Sequence, residues 1–180
     1  MPTEKDRATQ NLVVTQFGSQ KVHDGDHFFT HGCDEDVDTG SPKYWVIETP
    51  DTTTWAHFLV DELYSDAGCK WELFEDPTLD AAGNSLVVFN NNRNSAATSG
   101  VTVKEDCTTQ APNNDGTLLI CWRTGDTGTG FFSPSRSGDA EGERVMILKQ
   151  NEQYILKATP DADDTAVYMQ ISWADHEDEA

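Results

Sequence analysis

Positive charge is what this chain most lacks. Twelve Lys and Arg stand against 32 Asp and Glu, giving a formal net charge of −20. Most of the acid is aspartate, with 20 Asp to 12 Glu. Such a surface repels nucleic acid phosphate and anionic lipid, which excludes both as partners. It also repels itself. In dilute salt that repulsion works against the compact state, whereas at molar salt the Debye length falls to about 3 Å and the penalty largely disappears. An Asp-heavy, Lys-poor chain therefore points to a protein of strong brine, or to one attached to cations or to a cationic partner. The plainer alternative is an acidic protein that simply stays soluble.

Other absences narrow the field further. No apolar run approaches the length of a membrane span, and MPTEKDRATQNLVV has neither a basic n-region nor an apolar h-region, so no membrane helix and no secretory signal is expected. The four cysteines, Cys33, Cys69, Cys107 and Cys121, lie far apart without a C-x-x-C, which argues against zinc. Three pairings are open to them, but buried free thiols are the expectation. There is no G-x-S-x-G, and GDTGTG at Gly125 to Gly130 lacks the Lys-Ser/Thr of a phosphate loop. Glu72 with Glu75, and Asp61 with Glu62, are expected to point to opposite sides of a strand, so neither makes a glycosidase pair. The chain reads as a non-enzyme without a cofactor.

What is present is alternation. The hydrophobic fraction is only 36%, yet five Trp, four Tyr and eight Phe supply bulky core material. Lys43–Thr49 (KYWVIET) reads as a strand ended by Pro50-Asp51. Thr54–Tyr64 has apolar residues on both parities and suits a strand or a short helix, with the preceding threonines favouring the strand. Cys69–Glu75 alternates cleanly. Leu86–Phe89, Val101–Val103, Thr117–Arg123, Val145–Lys149, Tyr154–Thr159 and Ala166–Trp173 follow the same style, between turns at Ala81–Asn84 and Pro112–Gly116. In the last of these Val167, Met169, Ile171 and Trp173 share a face. About nine strands at this spacing, with no long helical period, predict an all-β fold: an antiparallel sandwich or jelly roll. The expected boundaries are an N-terminal arm or first strand over 1–20, a sandwich domain over 21–174 and a solvated acidic tail over 175–180.

Two kinds of site stand out. His23, Asp24, Asp26, His27, His31, Cys33, Asp34, Asp36 and Asp38 crowd one stretch. Carboxylates and imidazoles at these spacings suit a divalent ion or loosely held cations, though an EF-hand starting at Asp34 fails at Thr39 and Trp45. A solvated polar loop is the simpler reading. The second kind is contact loops. Asn90, Asn91, Asn92, Arg93, Asn94 and Ser95 form one, and the Gly-rich stretch from Thr124 to Gly142 forms another, carrying Phe131, Phe132 and Arg136. Arg93, Arg123, Arg136 and Arg144 are scarce cations suited to fork-shaped bonds with carboxylates, within a subunit or across subunits. DTAVY at Asp164 to Tyr168 matches a tyrosine-corner run but has Gln170 where the core cysteine would stand.

Several pieces taken in order resemble a family of small structural proteins of tailed viruses. HDGDHFFTHG at His23–Gly32 is similar to its entry segment, and VIETPDTTTWAHFLVD at Val46–Asp61 to its strand–Thr-Pro–strand unit. WELFEDPTLDAAGNSL from Trp71, followed by FNNNRNS at Phe89–Ser95, is the most distinctive match. NNDGT at Asn113, SRSG at Ser135, ILKQNEQYILK at Ile147 and ISW at Ile171 complete it. The resemblance implies a β-sandwich head-decoration protein on the capsid exterior, assembled in the host cytoplasm. It implies a homo-oligomer, often a trimer, bound to the major capsid protein. The four cysteines and the aspartate load depart from the pattern and suggest a halophilic host. The rival expectation is a virion-surface module that recognises host glycan through aromatics such as Phe131 and Phe132.

Overall fold

The computed structural model describes residues 17–109, 114–124, 130–132 and 146–177. Residues 1–16 of the expected arm or first strand over 1–20, Arg136, Arg144 and most of the Gly-rich loop lie outside these residues, and residues 17–20 are helical. One helix, α1 (Phe17–Asp24), precedes the strands β1 (His27–Val37), β2 (Lys43–Glu48), β3 (Thr54–Ser65) and β4 (Cys69–Glu75). Short strands follow at β5 (Leu79–Ala81), β6 (Asn84–Ser85), β7 (Phe89–Asn90), β8 (Thr102–Glu105) and β9 (Thr108–Thr109). The chain continues through β10 (Thr117–Thr124), β11 (Gly130–Phe132), β12 (Met146–Leu148), β13 (Gln153–Pro160) and β14 (Thr165–Glu177).

Two six-stranded antiparallel sheets form the body. Sheet one runs β11-β3-β14-β1-β7, with β12 sharing the free side of β3, and sheet two runs β10-β4-β13-β2-β8-β6. The pairings are nested: β1 with β14, β2 with β13, β3 with β12 and β4 with β10. A chain folded back on itself in this order and wrapped across two sheets is a jelly roll, as the strand pattern predicts.

The inward-facing rows of both sheets make the core. Trp45, Ile47, Trp71, Leu73 and Leu156 of sheet two meet Phe28, Leu63, Met169, Ile171 and Trp173 of sheet one. Each of these is almost wholly buried, and large apolar side chains contribute about 2 kcal/mol apiece when fully buried. Trp45 and Trp71 stack at 5.9 Å. The Trp45 indole presses on β1 at Gly32, where a Cβ would fall on Nε1. Polar groups tie the sheets as well. The Trp71 indole donates to Thr124 Oγ1 at 2.9 Å, and that hydroxyl also meets Ser65 Oγ of sheet one at 2.5 Å. Lys43, almost fully buried, reaches Asp34 of β1 at 3.0 Å and Asp106 beyond β8 at 2.5 Å.

Four expectations about strands and loops need correction. The His23–Asp38 stretch is not a solvated loop: its first residues close α1 and the rest is β1, hydrogen-bonded along β14. Leu86–Val88 forms no strand; β6 and β7 flank it instead. Thr124–Arg144 is not all loop, because Gly130–Phe132 pairs with Leu63–Ser65. The tail is not free from residue 175 onward, since β14 continues on β3 as far as Glu177. Of the cysteines, Cys69 and Cys107 are the buried thiols expected, with burial pushing each up to about 12, while Cys33 and Cys121 are exposed.

Candidate interaction face

Sheet two is covered on its outward side. Val46, Ile155 and Cys107 form a second buried cluster there with Tyr44, Phe74 and Leu79, and Lys157 lies over the Tyr44 ring at 5.4 Å while bonding Asp115. Among the described residues no comparable buried cluster covers the outward side of sheet one. The strand period dictates what that side carries. Residues that alternate with the buried Phe28, Met169 and Leu63 face outward, and here they are aromatic as often as polar.

Across β1, β14 and β3 the outward rows read Cys33–Tyr168–Tyr64 and His31–Gln170–Glu62. Tyr64 and Tyr168 lie 5.6 Å apart between ring centroids, and Tyr168 remains 36% exposed. Phe29 stacks on Phe89 of β7 at 5.3 Å, and His31 lies parallel to the same ring at 5.9 Å. Trp55 and Ile147, outward on β3 and β12, are exposed too. A bulge between Gln170 and Ile171 puts an extra residue in β3. Asp61 therefore turns to the outward-facing Ser172, whose hydroxyl donates to it at 2.9 Å. Asp61 and Glu62 thus share a side, contrary to the expectation that neighbours on a strand diverge.

The two expected contact loops flank this face, because β7 and β11 are the end strands of sheet one. Phe131 pairs with Tyr64 and Phe132 with Leu63. On the other side, the Asn-rich loop is pinned to the turn between α1 and β1. Asn90 is buried and donates to Gly25 O at 2.7 Å, so it serves the fold and not a partner. Asn91 Nδ2 meets His27 Nδ1 at 2.6 Å, and Asn92 Nδ2 donates to His23 O. The Asn90 and Asn92 carboxamides cap the backbone N–H of Asn92 and Asn94, and Ser95 Oγ that of Ala97. Arg93 and Asn94 are left exposed at the tip, with the Arg93 guanidinium 5.5 Å from the Phe89 ring centre.

The cation candidates do not converge. His23 and Asp24 end α1, Asp26 is held by Lys21 at 3.1 Å, and His27 opens β1. Asp34 is paired with Lys43. Asp36 and Asp38 lie at the far end of that 11-residue strand, roughly 30 Å away. There they meet Asp164 from the turn before β14, and the three carboxylates lie within 4.8 Å of one another, all exposed. The hydrogen bond with Asp164, then the charges of Asp164 and Asp38, raise Asp36 above the ordinary carboxyl value. Sequence distance hid Asp164 from the cluster. Asp175, expected in the solvated tail, is instead half-buried between Ser99 and Asp26, and burial pushes it up to about 6.

Fold and face together define an antiparallel jelly-roll protein in which, among the described residues, sheet one carries aromatic and polar side chains on its outward side. No family model matches the chain, and neither a curated protein nor a solved structure does.

Proposed function

We propose that this protein is a non-enzymatic virion component that decorates or cements the capsid of a tailed virus by associating with itself and with the major capsid protein. The reading rests on the sequence resemblance, and one structural observation supports it. One sheet of the jelly roll is packed over, while the other carries Phe29, His31, Tyr64 and Tyr168 outward between a pinned Asn/Arg loop and β11. Flat sheets with exposed rings and a polar rim are the composition of protein interfaces. Rigid loops lower the ordering cost of docking. The expected result is that the chain stays with intact particles through a density gradient in molar salt. Particles that lack it would end the proposal.

The ring pair Tyr64–Tyr168, with Gln170 and Glu62 in the adjoining row, favours a second reading: stacking and hydrogen bonding to a neutral sugar of a host surface. On a glycan array that reading predicts binding that Tyr168→Ala abolishes. An array without signal eliminates it.

A further inference from the structure

Arg93 is an exception among the cations. Lys21, Lys43, Lys70, Lys104, Lys149, Lys157 and Arg123 each bond a carboxylate, from Asp26 for Lys21 to Asp161 for Arg123. Among the described residues only Arg93 pairs with none. In a chain with 32 acids against 12 bases, a surface cation readily finds a carboxylate, so this one is held away from them. Two contacts do the holding: the guanidinium lies over Phe89 at 5.5 Å, and Nη1 donates to Asn90 O at 3.5 Å. Both leave most of its donors directed at nothing in the described chain. Because Asn90, Asn91 and Asn92 fix the loop, little conformational freedom remains to be lost when an acceptor arrives.

We infer that Arg93 receives a carboxylate from a second copy of this chain, the β7 side of sheet one in one copy meeting the β3–β11 side of sheet one in the next. The inference rests on the assembly reading above and names its contact. Charge complementarity selects the occupant. A net charge of −20 keeps extended polyanions away but makes every copy a dense source of carboxylates. The carboxylate favoured is Glu62, half-buried in the row beside Tyr64 and without a cation partner among the described residues. Positive and negative groups then lie at opposite sides of one face. Such a contact is heterologous and closes into a ring when the rotation between copies permits. A pair desolvated in the interface is screened by salt much less than exposed charges are, so it persists in brine.

The test is oligomeric state by size exclusion with light scattering in molar salt, with circular dichroism confirming the fold of each variant. Wild type is expected to be oligomeric at micromolar concentration. Arg93→Glu is expected to weaken association about 100-fold or more, and Arg93→Lys, which keeps the charge but loses the fork, about tenfold. Arg93→Glu combined with Glu62→Arg is expected to restore association to within tenfold of wild type. If Arg93→Glu misfolds, Arg93→Gln takes its place. A monomeric wild type, an oligomer indifferent to Arg93, or a charge swap without rescue each overturns the inference. A chain that is monomeric alone yet binds particles through Arg93 also overturns it, since the carboxylate is then the shell's. Loss of the particle association itself would instead strike the functional proposal.

Discussion

Moved from molar salt into dilute buffer at pH 7.5, the protein is expected to lose its cooperative thermal transition and its β-sheet signal. The acidic end of β1 shows why. Asp36, Asp38 and Asp164 approach within 4.8 Å of one another, and among the described residues no cation is bonded to them. That spacing exceeds the screening length of about 3 Å at 1 M salt and lies well inside the length of about 10 Å at 0.1 M. The repulsion is therefore quiet in brine and fully felt in dilute buffer, and the same holds across the rest of the uncompensated acid. Acid should partly substitute for salt. Asp36, raised by its contact with Asp164, and Asp175, raised by burial to about 6, bind protons more tightly folded than unfolded. Their contribution is complete below the ordinary value of 3.8 and lost as pH rises through the folded value. Glu75, lowered by its hydrogen bond to Lys149, and Asp106, lowered by that to Lys43, act in the opposite sense. They stabilise above their ordinary carboxyl values and cease to as pH falls through the folded ones. At low salt, stability should thus peak near pH 5 and fall on either side. Melting curves over a grid of salt and pH read this directly; a midpoint indifferent to salt at pH 7.5 contradicts it.

Gly32→Ala is expected to lower stability by about 3 kcal/mol, the upper range for overpacking a filled core. For a domain of this size that is a fall of roughly 6–12 °C in Tm. The added methyl would occupy the place of Trp45 Nε1, and Trp45 is wholly buried and stacked on Trp71, so it has nowhere to retreat. Trp45→Phe makes room. In a double-mutant cycle the two changes should therefore be less costly together than their sum, by 1 kcal/mol or more. A Tm for Gly32→Ala within 2 °C of wild type would mean that the indole does not press on β1.

This same packing explains what could be read from residues alone. Cys69–Glu75 and Ala166–Trp173 announce themselves because their inward positions are Trp, Leu, Val, Met and Ile. In β1 the inward positions after Phe28 are Thr30 and Gly32, small because Trp45 fills the space from the opposite sheet. With Phe28 and Val37 the only apolar residues among its buried positions and five acidic or His residues in the strand, it resembles a polar loop. The outward face was hidden for the converse reason: Phe29 and Tyr64 look like core until pairing shows them outward, although the alternation of Ala166–Trp173 already set Tyr168 apart. Asp61 was misjudged because a bulge leaves no trace in composition. Asn90 looked like a contact residue because an Asn-rich run is the same on paper whether it points outward or plugs a turn.

The nested strand order has a consequence for biosynthesis. His27 begins the ladder with Ala174, so the first strand of the sandwich waits for the last one before its partner exists. Closure must bridge almost the whole chain, which places folding on the slow, millisecond-to-second side of small domains. Sheet one cannot be completed before β14 has been synthesised. Until then the nascent polypeptide carries an unclosed β1 edge, and its dense negative charge discourages neighbouring chains on the same message from zipping onto it.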